Sequence, residues 1–334
     1  MFDALRRNRF LVIGRAGMDL YADPPGTQTE TASAFTAALG GSSANIAVAI
    51  CRQGGHATLL TSVSDDAVGR FALRQLAAYG IDTDRVRTVG GQARTSLAVV
   101  ETRLENCQSV IYRNGAADFE MTTADIDAAD FSDFGALIAT GTCFAAEPSR
   151  AAAFRAFDRA RAAALPTILD LDYRPYSWPS RANAGEVCLK AAEHSDVLVG
   201  NDEEFATLAG SHEAGRALAE TLAESRERLV VYKMGEKGSV AFFMGQTIET
   251  GIYSVKALKP TGSGDAFLGN LVSALAQGHT LADSLKRGSA AAAMVVSQVG
   301  CAPAMPDAAA LNDFLQHHPG NTEGKEADHA HTAF

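Results

Sequence analysis

The chain has 334 residues, 47% of them hydrophobic and 20% charged, which is the composition of a globular protein with one large domain or two smaller ones. Its formal net charge of −10 argues against nucleic acid or an anionic membrane as a general partner, although a local group of arginines can still bind a small anion. The five cysteines are scattered, and neither a C-x-x-C pair nor an H-E-x-x-H motif occurs. We therefore expect a reduced cytoplasm and neither a disulfide framework nor structural zinc.

The sequence shows no segment typical of membrane insertion or secretion. No apolar run is long enough to span a bilayer, and the basic N-terminal residues are not followed by a signal-type apolar stretch. We therefore expect no membrane partner.

A short buried strand begins the fold. Residues 10–13 are apolar and lead to the polar residue Asp19, and residues that follow a strand in this way line the ligand-binding edge of an open α/β sheet. Residues 22–36 are mostly polar and contain two prolines, which predicts a turn followed by an irregular or edge strand.

A stretch of small residues comes next and opens a predicted helix over residues 46–53. Residues 40–45 read Gly-Gly-Ser-Ser-Ala-Asn, so a ligand can approach the backbone closely, and Ser42 or Ser43 is a suitable N-cap. Taken alone, these residues are equally compatible with a ligand site and with an ordinary capped turn.

Two β-like runs, residues 95–101 and 109–112, flank a polar link. They predict a hairpin outside the main sheet, which would be a candidate lid. Arg113 directly follows the second run, a position where an arginine is usually solvated.

From residue 135 onward, strands and helices alternate, which predicts a largely parallel sheet covered by helices on both faces. The predicted strands are residues 136–139, 167–171, 197–200, 229–233 and 239–243. Because the carboxyl ends of parallel strands meet at one edge, the polar residues that follow them, such as Arg174 and Asn201, should converge there.

The segment Lys259-Pro-Thr-Gly-Ser-Gly-Asp265 joins a glycine-rich turn to a helix with one apolar face. The free N–H groups and the dipole at such a helix start suit a phosphate. An acid beside a phosphate is repelled by it, so Asp265 makes sense if it removes a proton from a hydroxyl that attacks phosphorus. The alternative is that Asp265 is only a favourable charge at a helix N-terminus.

The ordered set of motifs resembles the ribokinase-like (PfkB) carbohydrate kinases, from about residue 9 to about residue 315. Each motif alone is weak, whereas their common order along the chain is specific. Within the family, the chain is most similar to the branches that phosphorylate keto-deoxy sugar acids, namely 5-dehydro-2-deoxygluconate of inositol breakdown and 2-keto-3-deoxygluconate. The motifs are Gly40-Gly41 with Asn45, Asn201-x-x-Glu204, Lys233-x-Gly235-x-x-Gly238 and Thr261-Gly-Ser-Gly-Asp265.

The resemblance implies an α/β fold with a three-layer α/β/α core, a mostly parallel central sheet and a small β-sheet lid. It also implies ATP and Mg²⁺ as cofactors. The kinase domain would cover residues 1–316, with the lid inserted as residues 15–36 and 94–118, and residues 317–334 would be a disordered tail. Pairing of exposed lid faces suggests a homodimer.

The resemblance further implies a role for each motif residue. Asp265 would be the base, and Glu204 would organise Mg²⁺ through water. The other implied sites are the anion hole (Gly262, Ser263 and Gly264), the sugar site (Asp19, Gly41 and Asn45) and the nucleotide site (Asn201, Lys233, Gly235 and Gly238).

In the relatives that act on keto sugar acids, arginines at the positions of Arg113 and Arg174 hold the acid end of the substrate. The chemistry agrees independently, because the guanidinium fork binds a carboxylate bidentately. A neutral sugar gives no reason to bury two arginines. Arg174 is also compatible with a purely structural stack on its aromatic neighbours.

The chain departs from its relatives at Lys259-Pro260, where many of them have Asp-Thr. In some relatives that acidic residue is tied to the binding of a monovalent cation. We therefore expect no K⁺ activation, with the Lys259 ammonium supplying a fixed positive charge instead. Ser263 replaces a common alanine, which should be tolerated because the backbone N–H makes the contact.

The sequence thus predicts an ATP-dependent kinase of a sugar acid. A kinase of 2-keto-3-deoxygluconate or of a neutral ketose or ribose is the first alternative. A catalytically silent sugar-binding protein is the second, and the intact Asp265 and Glu204 argue against it.

Overall fold

A computed structural model describes residues 2–225, 227–318, 320 and 326–327. Strands and helices are numbered separately in chain order. The strands are β1 (Arg9–Ile13), β2 (Gly17–Asp23), β3 (Ala34–Gly40), β4 (His56–Ser64), β5 (Val86–Val89), β6 (Ser96–Val100), β7 (Ser109–Tyr112), β8 (Ala136–Thr140), β9 (Thr167–Asp170), β10 (Val197–Asn201), β11 (Leu229–Lys233), β12 (Ser239–Phe243), β13 (Gln246–Thr250) and β14 (Glu326–Ala327). The helices are α1 (Phe2–Leu5), α2 (Ser42–Arg52), α3 (Ala67–Ala78), α4 (Thr123–Asp127), α5 (Ser149–Ala162), α6 (Arg181–Glu193), α7 (Asp202–Ala209), α8 (His212–Glu224), α9 (Ser263–Ala276), α10 (Leu281–Val296) and α11 (Ala308–His317).

The large sheet has the strand order β14-β13-β12-β11-β10-β9-β8-β1-β4-β5. All neighbours from β11 to β5 pair in parallel, whereas β12, β13 and β14 add in antiparallel fashion at one end. The predicted mostly parallel sheet is therefore confirmed, and its parallel pairing places the carboxyl ends of the central strands at one edge.

Helices cover both faces of this sheet. Val12 of β1 and Ile138 of β8 pack into one buried cluster with α2, α9 and α10, while their neighbours Leu11 and Leu137 pack into a second cluster with α5 and α6. Successive side chains of a strand point to opposite faces, so central strands buried on both sides read as continuous apolar runs. The three-layer prediction is confirmed.

A separate four-stranded sheet has the order β3-β2-β6-β7. The predicted hairpin is present as the antiparallel pair β6 and β7, and β2 joins it in parallel. The sheet extends four residues past the predicted limit at residue 36, because β3 pairs with β2 along its whole length up to Gly40. This sheet is called the lid below.

The predicted N-cap of the second helix is wrong. Helix α2 begins at Ser42 with Gly41 at the N-cap, and no side chain caps it. The serine hydroxyls are used elsewhere: Ser42 donates to Asp172, and Ser43 donates to the carbonyl oxygen of Ile13 at 2.9 Å.

The remaining structural expectations concern the cysteines, the membrane and the C-terminus. All five cysteines are free thiols. In the part of the chain that the structure describes, no helix is both long enough and apolar enough to cross a bilayer. The predicted disordered tail over residues 317–334 lies mostly outside the described residues; within it, Glu326–Ala327 pairs with β13 as β14.

Candidate active site

One group of predicted site residues lies at the carboxyl edge of the parallel strands and at the start of α9. The others lie on the lid or next to it (Asp19 and Arg113) and at the start of α2 (Gly41 and Asn45). Asn201 ends β10 and Lys233 ends β11. The backbone N–H of Tyr173, just past β9, donates to Glu204 Oε1 at 3.1 Å, which links two neighbouring strand ends. The site is therefore assembled from segments far apart in sequence.

The start of α9 requires glycine at position 262, and Gly264 leaves room for the Lys233 ammonium. Gly262 is the N-cap with φ +84°, and a Cβ there would lie 2.7 Å from Cys301 Sγ. A Cβ on Gly264 would lie 3.2 Å from Lys233 Nζ. Because the first N–H groups of a helix have no acceptor within it, Gly262, Ser263 and Gly264 present donors beside the Lys233 ammonium. This corner of the protein suits an anion.

Asp265 is the third residue of α9 and is held by one strong contact. Asn45 Nδ2 donates to Asp265 Oδ2 at 2.8 Å. Burial raises the pKa of Asp265 to about 7, and the charges of Asp172 and Asp170 add to the rise, while the Asn45 hydrogen bond opposes it. A carboxyl group with this pKa can accept a proton near neutral pH and release it again.

Asp19 and Asn45 line a polar space between the lid and α2. Tyr21 Oη donates to Asp19 Oδ2 at 3.1 Å, whereas Asp19 Oδ1 and Asn45 Oδ1 are buried with no hydrogen-bond partner in the described residues. A Cβ on Gly40 would lie 1.9 Å from Asp19 Oδ1, so only glycine leaves that oxygen its place. Unpartnered buried acceptors are costly, and hydroxyl donors of a sugar would satisfy both.

Gly41 turns the chain sharply into α2. Its φ is +103°, and a Cβ there would lie 2.4 Å from the carbonyl oxygen of Arg15. Glycine at this position therefore has a steric reason, and it brings the start of α2 against the segment after β1.

Asp172 is a site residue whose role the sequence did not reveal. It adopts φ +35°, and its Oδ2 accepts hydrogen bonds from Ser42 Oγ and Thr142 Oγ1, the latter at 3.2 Å. Its Oδ1 lies 2.7 Å from Arg174 Nη2. Asp172 therefore positions Arg174, and its charge raises the pKa of that guanidinium further. The sequence shows the Asp-x-Asp-Tyr-Arg spacing, but the anchoring hydroxyls come from α2 and from the short turn after β8.

Arg113 is buried and already has an anionic partner. Its guanidinium forms an ion pair with Asp118 and lies 4.2 Å over the ring centroid of Phe119. Its Nη1 also donates to Ser177 Oγ at 3.4 Å. Because Ser177 belongs to the short turn after Arg174, the structure brings the two predicted arginines to the same turn.

Asn201 and Glu204 form a capping box at the start of α7. Glu204 Oε2 accepts from the Asn201 backbone N–H at 2.7 Å, and Asn201 Oδ1 accepts from the Glu204 N–H at 2.9 Å. The motif therefore has a structural function in its own right. Burial raises the pKa of Glu204 to about 7, although the charge of Lys233 opposes the rise.

The residues of the Lys233-x-Gly235-x-x-Gly238 motif have two different roles: the glycines form a turn, and Lys233 faces the start of α9. Gly235 and Gly238 shape the tight turn between β11 and β12, where a Cβ on Gly238 would lie 2.1 Å from the carbonyl oxygen of Thr250. Lys233, by contrast, projects toward α9. Burial disfavours its charge, but Asp170, Glu204 and Asp265 outweigh burial and raise its pKa.

Lys259 is completely buried beside the same helix start. Its Nζ donates to the carbonyl oxygen of Thr261 at 2.6 Å, directly before Gly262. Burial lowers the pKa of Lys259, and the charges of Asp265 and Asp19 oppose this. The ammonium is thus a fixed contact of the turn that carries the anion site.

We expect the Asp265 carboxyl to titrate near pH 7, far above an ordinary aspartate. Carboxyl ¹³C NMR should show this, with the resonance assigned by its loss in Asp265→Asn. In Asn45→Ala the midpoint should move to higher pH, because a hydrogen bond to the charged form is removed. A midpoint near pH 4 in the native protein would contradict the buried arrangement.

Comparisons with known proteins identify the family of the chain. The sequence matches the description pfkB family carbohydrate kinase over residues 7–308. It is 39% identical over 321 residues to a 5-dehydro-2-deoxygluconokinase of Photobacterium profundum, covering 94% of this chain and 97% of the relative. A 5-dehydro-2-deoxygluconokinase of Geobacillus kaustophilus is 32% identical over 330 residues, covering 97% and 98%.

Solved structures of sugar kinases share the fold. Fructokinase of Xylella fastidiosa with bound ATP superposes with a TM-score of 0.82 at 26% identity, covering 93% of this chain and 98% of that one. A double mutant of Vibrio cholerae O395 fructokinase, with fructose, ADP and potassium ion bound, gives 0.81 at 26% identity, covering 92% and 98%. The fold is ribokinase-like, and the chain belongs to the pfkB family of carbohydrate kinases.

Proposed function

We propose that this sugar kinase transfers the γ-phosphoryl group of ATP to a hydroxyl of a keto-deoxy sugar acid, 5-dehydro-2-deoxygluconate. The observation that supports this most is the Asp265 carboxyl group, which lies in the first turn of α9 and has a pKa of about 7. The names of the similar kinases support the substrate class.

In this proposal Asp265 takes the proton from the attacking hydroxyl. The N–H groups of Gly262, Ser263 and Gly264, together with Lys233 Nζ, stabilise the charge of the transferring phosphoryl group. Asp19 Oδ1 and Asn45 Oδ1 accept hydrogen bonds from sugar hydroxyls, with Gly41 leaving room for the ring. Positioning and charge stabilisation are the main requirements of phosphoryl transfer.

The nucleotide would lie along Asn201, Lys233, Gly235 and Gly238. Asp170, Asp172 and Glu204 are buried, and Asp265 is half-buried, around Lys233 and Arg174, so the described charges leave an anionic excess that suits a divalent cation. Among the described residues no three His, Cys, Asp or Glu side chains are grouped to chelate a metal. Glu204 would therefore hold Mg²⁺ through water. Bound there, Mg²⁺ neutralises phosphate charge.

Arg174 and Arg113 would hold the acid end of the substrate. Arg174 is two-fifths exposed as a side chain and is oriented by Asp172, so its remaining donors can face a ligand. Arg113 is enclosed in its ion pair with Asp118, so it would contribute mainly through its position in the Arg174 turn.

The fructokinase structures support the alternative that the substrate is a neutral ketose, because these enzymes share the fold at 26% sequence identity. A coupled ADP assay over 5-dehydro-2-deoxygluconate, 2-keto-3-deoxygluconate, fructose and ribose decides between them. We expect the keto acids to have the highest kcat/KM and Asp265→Asn to lose about 10³-fold or more in kcat while still binding ligand. Preference for a neutral sugar would overturn the substrate, and normal turnover in Asp265→Asn would overturn the mechanism.

We expect activity to be independent of K⁺. The Lys259 ammonium already supplies a buried positive charge at the turn before α9, so replacing K⁺ by Na⁺ or choline should change kcat by less than about twofold, which is under about 0.5 kcal/mol. Lys259→Met should lower kcat strongly with KM for ATP less affected. A severalfold stimulation of the wild type by K⁺ would refute this expectation.

The outer face of the lid favours a homodimer. Phe35, Val110 and Tyr112 are 41%, 46% and 59% exposed, and Tyr112 and Val110 pair with Leu97 and Val99 on the same face. An apolar sheet face of this kind is a site for association, and a second copy of the chain offers the same self-complementary surface.

A cytoplasmic location, by contrast, stays a prediction.

Light scattering after gel filtration tests the dimer. The wild type should have twice the chain mass of 35.0 kDa, and Val110→Glu should shift it toward the monomer. Met244→Glu is the matched control, since Met244 is 64% exposed but lies outside the lid. A monomeric wild type, or equal effects of both substitutions, would contradict association through the lid.

A further inference from the structure

Arg15 is a buried arginine to which neither the motifs nor the proposed chemistry assigns a role. It lies between β1 and the lid strand β2, and its Nη1 donates to Ser96 Oγ at 3.3 Å. Gly17 and Asp19 lie on the same face of β2, and Ser96 is the strand partner of Gly17. A Cβ on Gly17 would lie 2.6 Å from the Ser96 carbonyl oxygen and 2.8 Å from Ser96 Oγ, but at an ordinary contact distance of 3.4 Å from Arg15 Nη1. The guanidinium therefore lies over the Gly17–Ser96 pair, on the lid face that also carries Asp19.

Arg15 differs from the other two arginines of this region in its charge environment. Arg113 is paired with Asp118 and Arg174 with Asp172. For Arg15, no carboxylate of residues 2–225, 227–318 or 320 lies within ion-pair distance. Asp19 is an anionic neighbour beyond that distance, so a bound anion in direct contact would compensate the Arg15 charge further.

The free part of the Arg15 guanidinium is accessible to a ligand. Its Nε and Nη2 have no acceptor among the described residues, and neither is completely enclosed, in contrast to Arg113 Nε. The fork of donors that suits a carboxylate is therefore unused on two of its three nitrogens.

Arg15 also faces the same space as the sugar-binding residues. Burial raises the pKa of Asp19, and the charge of Arg15 is the strongest opposing influence. Partial burial raises the pKa of Tyr176, which the charges of Arg174, Arg15 and Arg113 each oppose. Tyr176 lies in the turn after Arg174, so the charge of Arg15 acts on groups of both the lid side and the Arg174 side of the site.

We propose that Arg15 binds the carboxylate of the sugar acid from the lid side, opposite Arg174, and thereby determines the preference for an acid over a neutral ketose. The inference rests on the proposed function and deepens it. It assigns the preference for an acid substrate to Arg15, which has no ion-pair partner among the described residues. Arg113 and Arg174 already have one. Binding of the acid would at the same time tie the lid to the core through Arg15.

The test is the KM for 5-dehydro-2-deoxygluconate in Arg15→Gln, Arg15→Lys and Ser96→Ala. We expect Arg15→Gln to raise this KM by about 10- to 100-fold, the range for losing a charged hydrogen bond. Arg15→Lys should be intermediate, since it keeps the charge and loses the fork. The inhibition constant of fructose, which has no carboxylate, should change by less than about twofold in every variant.

Ser96→Ala is the matched control, because it removes the lid contact of Arg15 and leaves the guanidinium in place. We expect its KM to stay within about twofold of the wild-type value. An unchanged KM in Arg15→Gln, or an equal rise in Ser96→Ala, would overturn the assignment of Arg15. A wild type inactive on the acid would overturn the proposed function as well, so the two failures are distinguishable. Melting curves confirm that each variant is folded.

Discussion

The site depends on a carboxyl group buried among like charges at the start of a helix. Asp265 is partly buried, close to Asp170 and Asp172, and only Asn45 donates a side-chain hydrogen bond to it within the described residues. Burial disfavours the charged form of a carboxyl group. Here it raises the pKa of Asp265 into the range in which the group can act as a base near neutral pH. The cations Lys233 and Arg174 keep this anionic region from being prohibitively unstable.

The lid and the catalytic helix are connected through a short chain of buried contacts. Tyr21 Oη, on lid strand β2, donates to Asp19 and accepts from the backbone N–H of Cys301 at 3.1 Å. Cys301 in turn occupies the space that a side chain at residue 262 would need. The Asp19 carboxylate and the start of α9 are therefore positioned by one packed unit. Lid closure over the substrate would exclude water from the same unit.

The three arginines Arg15, Arg113 and Arg174 differ in whether a carboxylate of the protein pairs with them. Arg113 and Arg174 are each held by an aspartate, which fixes their geometry and neutralises part of their charge. Within the described residues Arg15 is held only by a hydroxyl, so more of its charge remains available to a ligand. In the proposed complex, the carboxylate of an acid substrate would accept hydrogen bonds from the unused Arg15 donors. A neutral sugar has no carboxylate to accept them.

The architecture was predictable because local patterns determine it. Alternating apolar runs and helical segments predict a parallel sheet with two covered faces, and glycines at positions such as 262 and 264 predict a phosphate-type helix start. The lid limit and the cap of α2 were not predictable. Both depend on partners distant in sequence, namely the full-length pairing of β3 with β2 and the contact of Ser42 with Asp172.

The sequence by itself determined the fold class, the order of the motifs and the types of residue available for catalysis, since these follow from periodicity and composition. Only the tertiary structure decided which charges are compensated. Arg15, Arg113 and Arg174 look alike in the sequence, yet among the described residues two of them have a carboxylate partner and one does not. Burial and charge pairing arise from packing between distant segments, and they set both the pKa of Asp265 and the availability of Arg15.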